Sequence, residues 1–343
     1  MRHLLVTGGT GFVMAHVVRA WLLAGSGHRV TVLDISEPDA AARRFFEPVL
    51  DRITFVAGDV AEPSSYSNLP AVDAVVHGAT ITPHPYRDKA GALRAPEREE
   101  PARVIRTNIM GTTRLLDWAR RMPAIERVVN ISSGSVYARA VPETVAGALF
   151  VGEDQHVAPD GLYDITKLTG EMLAARFGTL FGLKAVSFRL SGVFGAMDRF
   201  TPARHVRCVP QVMAVNALAG RETRVLSTAA SGDFVSAADV ARAVLLALAE
   251  PEDALRHPVY NIAGGELVTY AELAAVIGAH TGGCVLKEVP ADKAELSSPP
   301  DQRTGRFAAY DIARASRDFG WSPRPLSDTV GEYIDWLRAE ASI

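Results

Sequence analysis

The stretch from Leu4 to Asp34, LLVTGGTGFVMAHVVRAWLLAGSGHRVTVLD, constrains the fold more than any other part of the chain. An apolar strand, a glycine-rich turn, a helical run and a second apolar strand follow one another there without a break. Gly8, Gly9 and Gly11 permit backbone angles that residues with side chains resist. A helix opening near Gly11, with Phe12 and Val13 in its first turn, would aim unpaired N–H groups and the positive end of its dipole at a pyrophosphate. Asp34 ends the second strand, where a carboxylate accepts hydrogen bonds from both hydroxyls of an adenosine ribose and repels a 2′-phosphate. The expected cofactor is therefore NAD rather than NADP. One position departs from the dinucleotide fingerprint, whose third glycine falls on Met14. A methionine there must either find spare volume or push the helix off the sheet.

The pattern of strand and helix continues. Arg52 to Ala57 reads as a third strand closed by Gly58, Asp59 and Val60, with Asp59 either holding an adenine or capping the next turn. Ala71 to His77 reads as a fourth, ending in His77, Gly78 and Ala79, small residues against which a cofactor could lie. Residues 82–103, with Thr82, Pro83, His84, Pro85, Pro96 and Pro101, read as a surface loop, either functional or a solvated excursion. Helical spacing runs from Val104 to Met122 and contains Asn108 and Gly111, and further strands cover Arg127 to Ser132 and Lys184 to Leu190. Such alternation predicts an α/β, Rossmann-type doubly wound parallel sheet covered on both faces. These sheets bind ligands at the carboxyl ends of their strands, where the glycine turn, Asp34, Asp59 and His77 to Ala79 all fall.

Composition excludes several partners. A formal net charge of −3 over 343 residues offers no electrostatic reason to bind nucleic acid or an anionic membrane. Cys208 and Cys284 lie far apart, without metal-ligand spacing, and read as free thiols in a reducing compartment. No metal is expected. There is no signal-like N-terminal segment and no apolar run of bilayer length, so the expectation is a cytoplasmic protein acting on a small molecule.

The candidate chemistry lies at the end of the fifth strand. Ser132-Ser133-Gly134-Ser135-Val136-Tyr137 leaves it, and Tyr163-Asp-Ile-Thr-Lys167 opens a helical run to Phe181. Positions i and i+4 share a helix face, so the Lys167 ammonium can favour the Tyr163 phenolate. Tyrosine could then exchange a proton with a substrate oxygen that a serine hydroxyl holds during hydride transfer.

With these residues the chain resembles the extended short-chain dehydrogenase/reductases, the NAD-dependent epimerase/dehydratase family. The matching segments are Thr7 to Phe12, Asp34, Gly58-Asp59-Val60, Val75-Val76-His77, Asn108 with Gly111-Thr112, Ser132 through Tyr137, Tyr163 with Lys167, Arg189 through Gly195, Asp233 through Ala241, and Tyr260-Asn261-Ile262. The resemblance implies Tyr163 as acid/base, Lys167 on the nicotinamide ribose, Ser133 on the substrate oxygen and Asn108 in the helix supporting the site. It implies a cofactor domain over residues 1–194 and about 226–263, and a substrate domain over about 195–225 and 264–343. It also implies a homodimer paired through Val104 to Met122 and Tyr163 to Phe181.

Departures from the family narrow the expected chemistry. Members that dehydrate nucleotide sugars place an acidic pair where this chain has Gly134 and Ser135, which disfavours 4,6-dehydration. Members acting on nucleotide diphosphate sugars commonly carry an asparagine and an arginine where this chain has Gly192 and Gly232. Losing such a phosphate contact costs about 1.5 to 3 kcal/mol. Arg204, Arg207, Arg221 and Arg224 read either as a replacement grip or as ordinary surface arginines; Thr82, Ser135, Arg204 and Arg207 are the candidate substrate contacts. The resulting expectation is NAD-dependent net dehydrogenation of a small sugar-like alcohol or polyol. The alternative is a nucleotide-sugar epimerase working by transient oxidation and re-reduction, and a non-catalytic NAD-binding regulator comes third. Asp311 to Pro323 reads as a structural helix with Trp321 as core anchor, and the 291–306 loop as a cover for the site or a mobile segment.

Overall fold

Alternation along the first strand sets the layers. In β1 (His3–Thr7), Leu4 and Val6 face one core and Leu5 faces another, as the two-residue period of a strand requires. The computed structural model describes residues 2–82, 86–87, 93–145, 148–201, 203–205, 207–251, 254–298 and 304–341. His84 and the prolines at 83, 85, 299 and 300 lie outside them.

Six more strands join β1: β2 (Arg29–Asp34), β3 (Ile53–Ala57), β4 (Ala74–His77), β5 (Arg127–Ile131), β6 (Ala185–Leu190) and β7 (Val259–Ile262). They run in the order β3-β2-β1-β4-β5-β6-β7, all parallel. This is the expected Rossmann-type sheet. The order reverses between β1 and β4, which opens a crevice at their carboxyl ends.

Helix α1 (Phe12–Ala24) covers one face together with a later helix, Ala237–Ala249, through Val17, Val18, Trp21, Val240 and Val244. Helix α2 (Gly111–Ala119) and helix α3 (Leu162–Phe181) cover the other through Leu115, Leu116 and Ala174. A separate core joins Phe194, Met213, Phe234, Tyr270, Ile277 and Tyr333. Trp321 is fully buried and donates its indole N–H to the Asp239 carbonyl at 3.0 Å, as a core anchor should.

The 82–103 segment is less irregular than its prolines suggest. A short antiparallel pair, 86–87 with 93–94, interrupts it, and helix begins at Pro96 and again at Pro101. Both prolines occupy a first helical position, where a missing N–H costs nothing. The second helix runs through a π turn, Arg106–Met110, into α2.

Met14 takes the first of the two outcomes open to it. Its side chain, 3% exposed, lies over Gly78, where a Cβ would overlap its Cγ and come within 2.5 Å of its Sδ. Gly9 keeps the helix close to the sheet, since a Cβ there would lie 2.8 Å from both Val32 methyls. The glycine absent from α1 is thus matched by one at the end of β4. Gly78→Ala is expected to destabilise the fold by about 1–3 kcal/mol through overpacking. In a double-mutant cycle measured by urea denaturation, Met14→Ala and Gly78→Ala together should cost less than the sum of their separate effects.

Candidate active site

The glycine turn is shaped by what it presses against. Gly8 has φ +72°, donates its N–H to the Leu33 carbonyl at 2.9 Å, and would place a Cβ 2.9 Å from the Ala79 Cα. Only glycine meets both conditions. Next to it, the Thr10 N–H and hydroxyl donate to Asp34 Oδ2 at 3.1 and 2.7 Å. That fixes the carboxylate and leaves Oδ1 with a single long bond, 3.4 Å from the Ser36 N–H. A cavity of about 790 Å³ runs from here to Tyr163 and Lys167. Gly8, Gly11, Phe12, Val13, Asp34, Val60, Gly78 and Ala79 border it as expected. The bare turn, the helix N-terminus and an oriented carboxylate fit a dinucleotide without a 2′-phosphate.

One expected cofactor contact is corrected. His77 does not reach the cavity. It is 3% exposed and sits between the Thr7 hydroxyl, 2.8 Å from Nδ1, and the Thr112 hydroxyl, 2.9 Å from Nε2. Burial pushes its pKa down to about 3, so it is a neutral core residue tying β1 to α2. Asp59 borders the cavity, but Oδ1 accepts the Ala61 N–H at 2.8 Å and Oδ2 accepts from Arg106 at 2.6 Å. It caps the next turn and keeps its place on the cavity wall.

Asn108 lies within the π turn, 4% exposed and outside the cavity lining. Its Oδ1 accepts the Ile81 N–H at 2.8 Å, and its Nδ2 donates to the Ile81 carbonyl at 3.0 Å and to the Thr166 hydroxyl at 3.1 Å. It therefore positions the chain leaving β4 against α3, one residue before Lys167, rather than touching reacting atoms. Widened helical turns of this kind often accompany functional sites.

The structure brings Ser133, Tyr163 and Lys167 together on one wall of the cavity. Ser133 Oγ accepts the Ser135 N–H at 3.1 Å and is hydrogen bonded to the Tyr163 side chain. Lys167 Nζ donates to the Ile131 carbonyl at 2.9 Å and lies 5.6 Å from the centre of the Tyr163 ring. Burial pushes the Tyr163 phenol up to about 12, against the pull of the Ser133 hydrogen bond and the Arg204 charge. The expected lysine-driven depression is not what acts on the phenol: Ser133 and Arg204 lower it, and desolvation outweighs both in the cofactor-free protein. Burial also pushes the Lys167 ammonium down to about 8, opposed by the Glu171 charge.

Glu171 and Thr80 were missed in the sequence. Glu171 is buried one turn beyond Lys167, accepts the Ser132 hydroxyl, and takes the Arg189 guanidinium on both oxygens at 2.7 to 3.2 Å. The signal was present as Tyr163, Lys167 and Glu171 at i, i+4 and i+8 on one helix face. Thr80 borders the cavity, and its hydroxyl, like that of Ser135, is buried without a hydrogen-bond partner. Such groups in a cavity wall are positioned for a ligand.

The substrate side is divided. Thr82 borders the cavity and donates its N–H to the Ala203 carbonyl at 3.0 Å. Arg204 stacks 5.1 Å from the Phe12 ring centre and gives two hydrogen bonds to the buried Asp198, at 2.9 and 3.1 Å. Arg207 is exposed at the cavity edge, 4.7 Å over the Phe200 ring. Arg221 bonds to Asn216 and Arg224 pairs with Glu295, and neither borders the cavity. Among the described residues no cluster of His, Cys, Asp and Glu could hold a metal, and no helix is long and apolar enough to cross a membrane.

The model of the NAD-dependent epimerase/dehydratase family matches residues 4–263. The chain belongs to that family. It is 31% identical to a dTDP-glucose 4,6-dehydratase from Streptomyces niveus, over 98% of this chain and 92% of that one. It is 24% identical to a dTDP-L-rhamnose 4-epimerase from Burkholderia thailandensis, over 99% and 96%. Its fold matches a UDP-glucose 4-epimerase from Thermotoga maritima, solved with UDP-glucose, with a TM-score of 0.75 at 24% identity, covering 99% of both chains. The protein is thus an NAD-dependent enzyme of the extended short-chain type.

With its phenol pushed up to about 12, Tyr163 stays protonated through neutral and mildly alkaline pH in the free protein. The difference in 295 nm absorbance between the parent chain and Tyr163→Phe should therefore show no phenolate below about pH 10 without cofactor. Saturating NAD+, whose ring adds a positive charge beside the phenol, should bring that signal to lower pH.

Proposed function

We propose that the protein is a nucleotide-sugar epimerase, oxidising a ring hydroxyl of a nucleotide-linked hexose and re-reducing the ketone with the same bound cofactor. The observation that carries this reading is the joining of the Ser133, Tyr163 and Lys167 cluster to the dinucleotide cleft in one cavity, in a chain whose full-length relatives act on dTDP sugars. These relatives favour the nucleotide-sugar alternative over the small polyol and net dehydrogenation expected from Gly192 and Gly232. The Streptomyces niveus relative is a dehydratase by name, but this chain's own residues do not favour dehydration. A Cβ at Gly134 would overlap the Tyr310 ring, so the first acid of a dehydratase pair has no room there, and position 135 is a serine.

When bound, NAD supplies the hydride acceptor in its oxidised form and the donor in its reduced form, held by the Gly8 turn, the N-terminus of α1 and Asp34. The Ser133 hydroxyl holds the substrate oxygen. Tyr163 Oη takes the hydroxyl proton in the first half-reaction and returns it in the second. Lys167, pinned to the Ile131 carbonyl, keeps its ammonium over the phenol face, and Asn108 holds the backbone on which the arrangement rests. Arg207, which makes no ion pair with a described residue, supplies countercharge for a diphosphate at the cavity edge.

Incubation with UDP- and dTDP-hexoses should yield the epimer by NMR without build-up of absorbance at 340 nm. Stoichiometric NADH with a simple polyol would refute the reading. Tyr163→Phe should lower turnover by about 10²–10⁴-fold while leaving NAD+ binding intact.

The family homodimer is part of the same proposal. Ile105, Met110, Ile165 and Met172 are 40%, 41%, 45% and 65% exposed on the two helical segments expected to pair. Apolar side chains at such positions suit a second copy of the chain. Ile165→Glu with Met172→Glu should turn a dimer into a monomer by light scattering coupled to size exclusion.

A further inference from the structure

Two side chains with no part in the proton chemistry meet at the cofactor cleft. Arg199 Nε donates to Asp39 Oδ2 at 2.8 Å and Nη2 to Asp39 Oδ1 at 3.0 Å, a two-pronged ion pair between positions 160 residues apart. The same Nη2 donates to the carbonyl of Thr10 at 3.1 Å, the residue that holds Asp34. Thr10, Asp34, Asp39 and Arg199 all border the cavity.

The arginine is anchored from behind as well. Its Nη1 donates to the Met197 carbonyl at 3.2 Å. Among the described residues Met197 is the only non-glycine with positive φ, +68°, and its side chain is fully buried. A residue with a side chain holds that backbone shape only where its surroundings enforce it. The guanidinium therefore projects from a fixed turn onto a carboxylate that belongs to the segment after β2. Burial would raise the Asp39 carboxyl, but the Arg199 hydrogen bond, the Ala42 N–H and the Arg199 charge together hold it below its usual value. The pair is charged at neutral pH.

We propose that Arg199 and Asp39 form a clasp at the adenosine end of the cleft that slows dinucleotide release, so that a cofactor reduced in one half-reaction is in place for the next. The clasp rests on the dinucleotide site described above and not on which sugar is bound. Its chemical sense follows from the net reaction. A dehydrogenase must release reduced cofactor every turnover, whereas an epimerase must keep it until the ketone has been re-reduced. A rigid fork of charge-assisted bonds joining two distant segments, with both partners on the cavity wall, suits the second task.

The test is the dissociation rate of NADH from the full-length protein, read as loss of bound NADH fluorescence on mixing with excess NAD+ and without sugar. Asp39→Asn leaves an acceptor for the Ala42 N–H, so the helix cap survives while the ionic fork is lost. Arg199→Gln removes the fork from the other side, and melting temperatures without cofactor serve as the folding control. Each variant should release NADH about tenfold faster, and the double variant no faster than the single ones. An unchanged rate in Asp39→Asn would overturn the clasp, because Arg199 would then act on the cofactor directly or not at all. Additive effects of the two substitutions would overturn it as well. Failure of the parent chain to bind NADH would instead sink the cofactor site, and a failure of the sugar panel leaves the release rates readable.

Discussion

The approach of Gly8 to Ala79 is the constraint on which the rest of the site depends. It brings the turn after β1 to within contact of the backbone leaving β4, across the point where the strand order reverses. Any side chain at Gly8 would separate them. Because the two segments touch, the N-terminus of α1 faces the same cavity as Thr80 and Thr82, and Asn108 carries that placement on to α3 through Ile81 and Thr166. The position of Tyr163 and Lys167 relative to the cofactor cleft is therefore set by a chain of contacts that begins at a glycine.

Behind the reactive residues, buried charge is arranged in a ladder. Lys167, Glu171 and Arg189 are each less than 10% exposed, and burying them is tolerable only because every one has partners: the Ile131 carbonyl for Lys167, Ser132 and Arg189 for Glu171, and Tyr137 as a further acceptor for Arg189. The carboxylate is shared between two cations, which leaves one positive charge in excess beside Tyr163. In the free protein that excess does not offset desolvation of the phenol. A second positive charge from oxidised cofactor would act in the same direction and would couple the proton step to the oxidation state of what is bound.

Much of this was legible in the sequence because it is local. The glycine turn, Asp34 and the tyrosine–lysine pair are each set by residues a few positions apart, and the alternation of strands and helices gave the sheet. His77 misled because a strand end shows which residues are present and not which way they face; paired in register with Thr7, it turns to Thr112 instead of the cavity. The π turn at Asn108 has no local signature, since it answers to Ile81 and Thr166. Pro96 and Pro101 looked like breakers because a first helical position cannot be told from a loop without the helix that follows. Arg199 and Asp39 show nothing by themselves, and only the fold brings them together.

The two glycines that suggested a small substrate have a structural explanation of their own. A Cβ at Gly192 would lie 3.0 Å from Phe234 Cδ1, and one at Gly232 would lie 2.8 Å from Phe234 Cζ, so a single ring packs over both positions. The asparagine and arginine common there in nucleotide-sugar enzymes could not be restored one at a time without moving that ring. Their joint absence goes with the packing of that ring, and at Gly192 the Asp233 carbonyl oxygen, 2.9 Å from the Cβ position, is a further barrier. Phe234 belongs to the core that also holds Phe194 and Tyr333, so the ring is tied to the packing beyond the site. Any grip on a diphosphate then falls to other side chains of the cavity, where Arg207 stacks on Phe200 at the edge and Arg204 is already committed to Asp198.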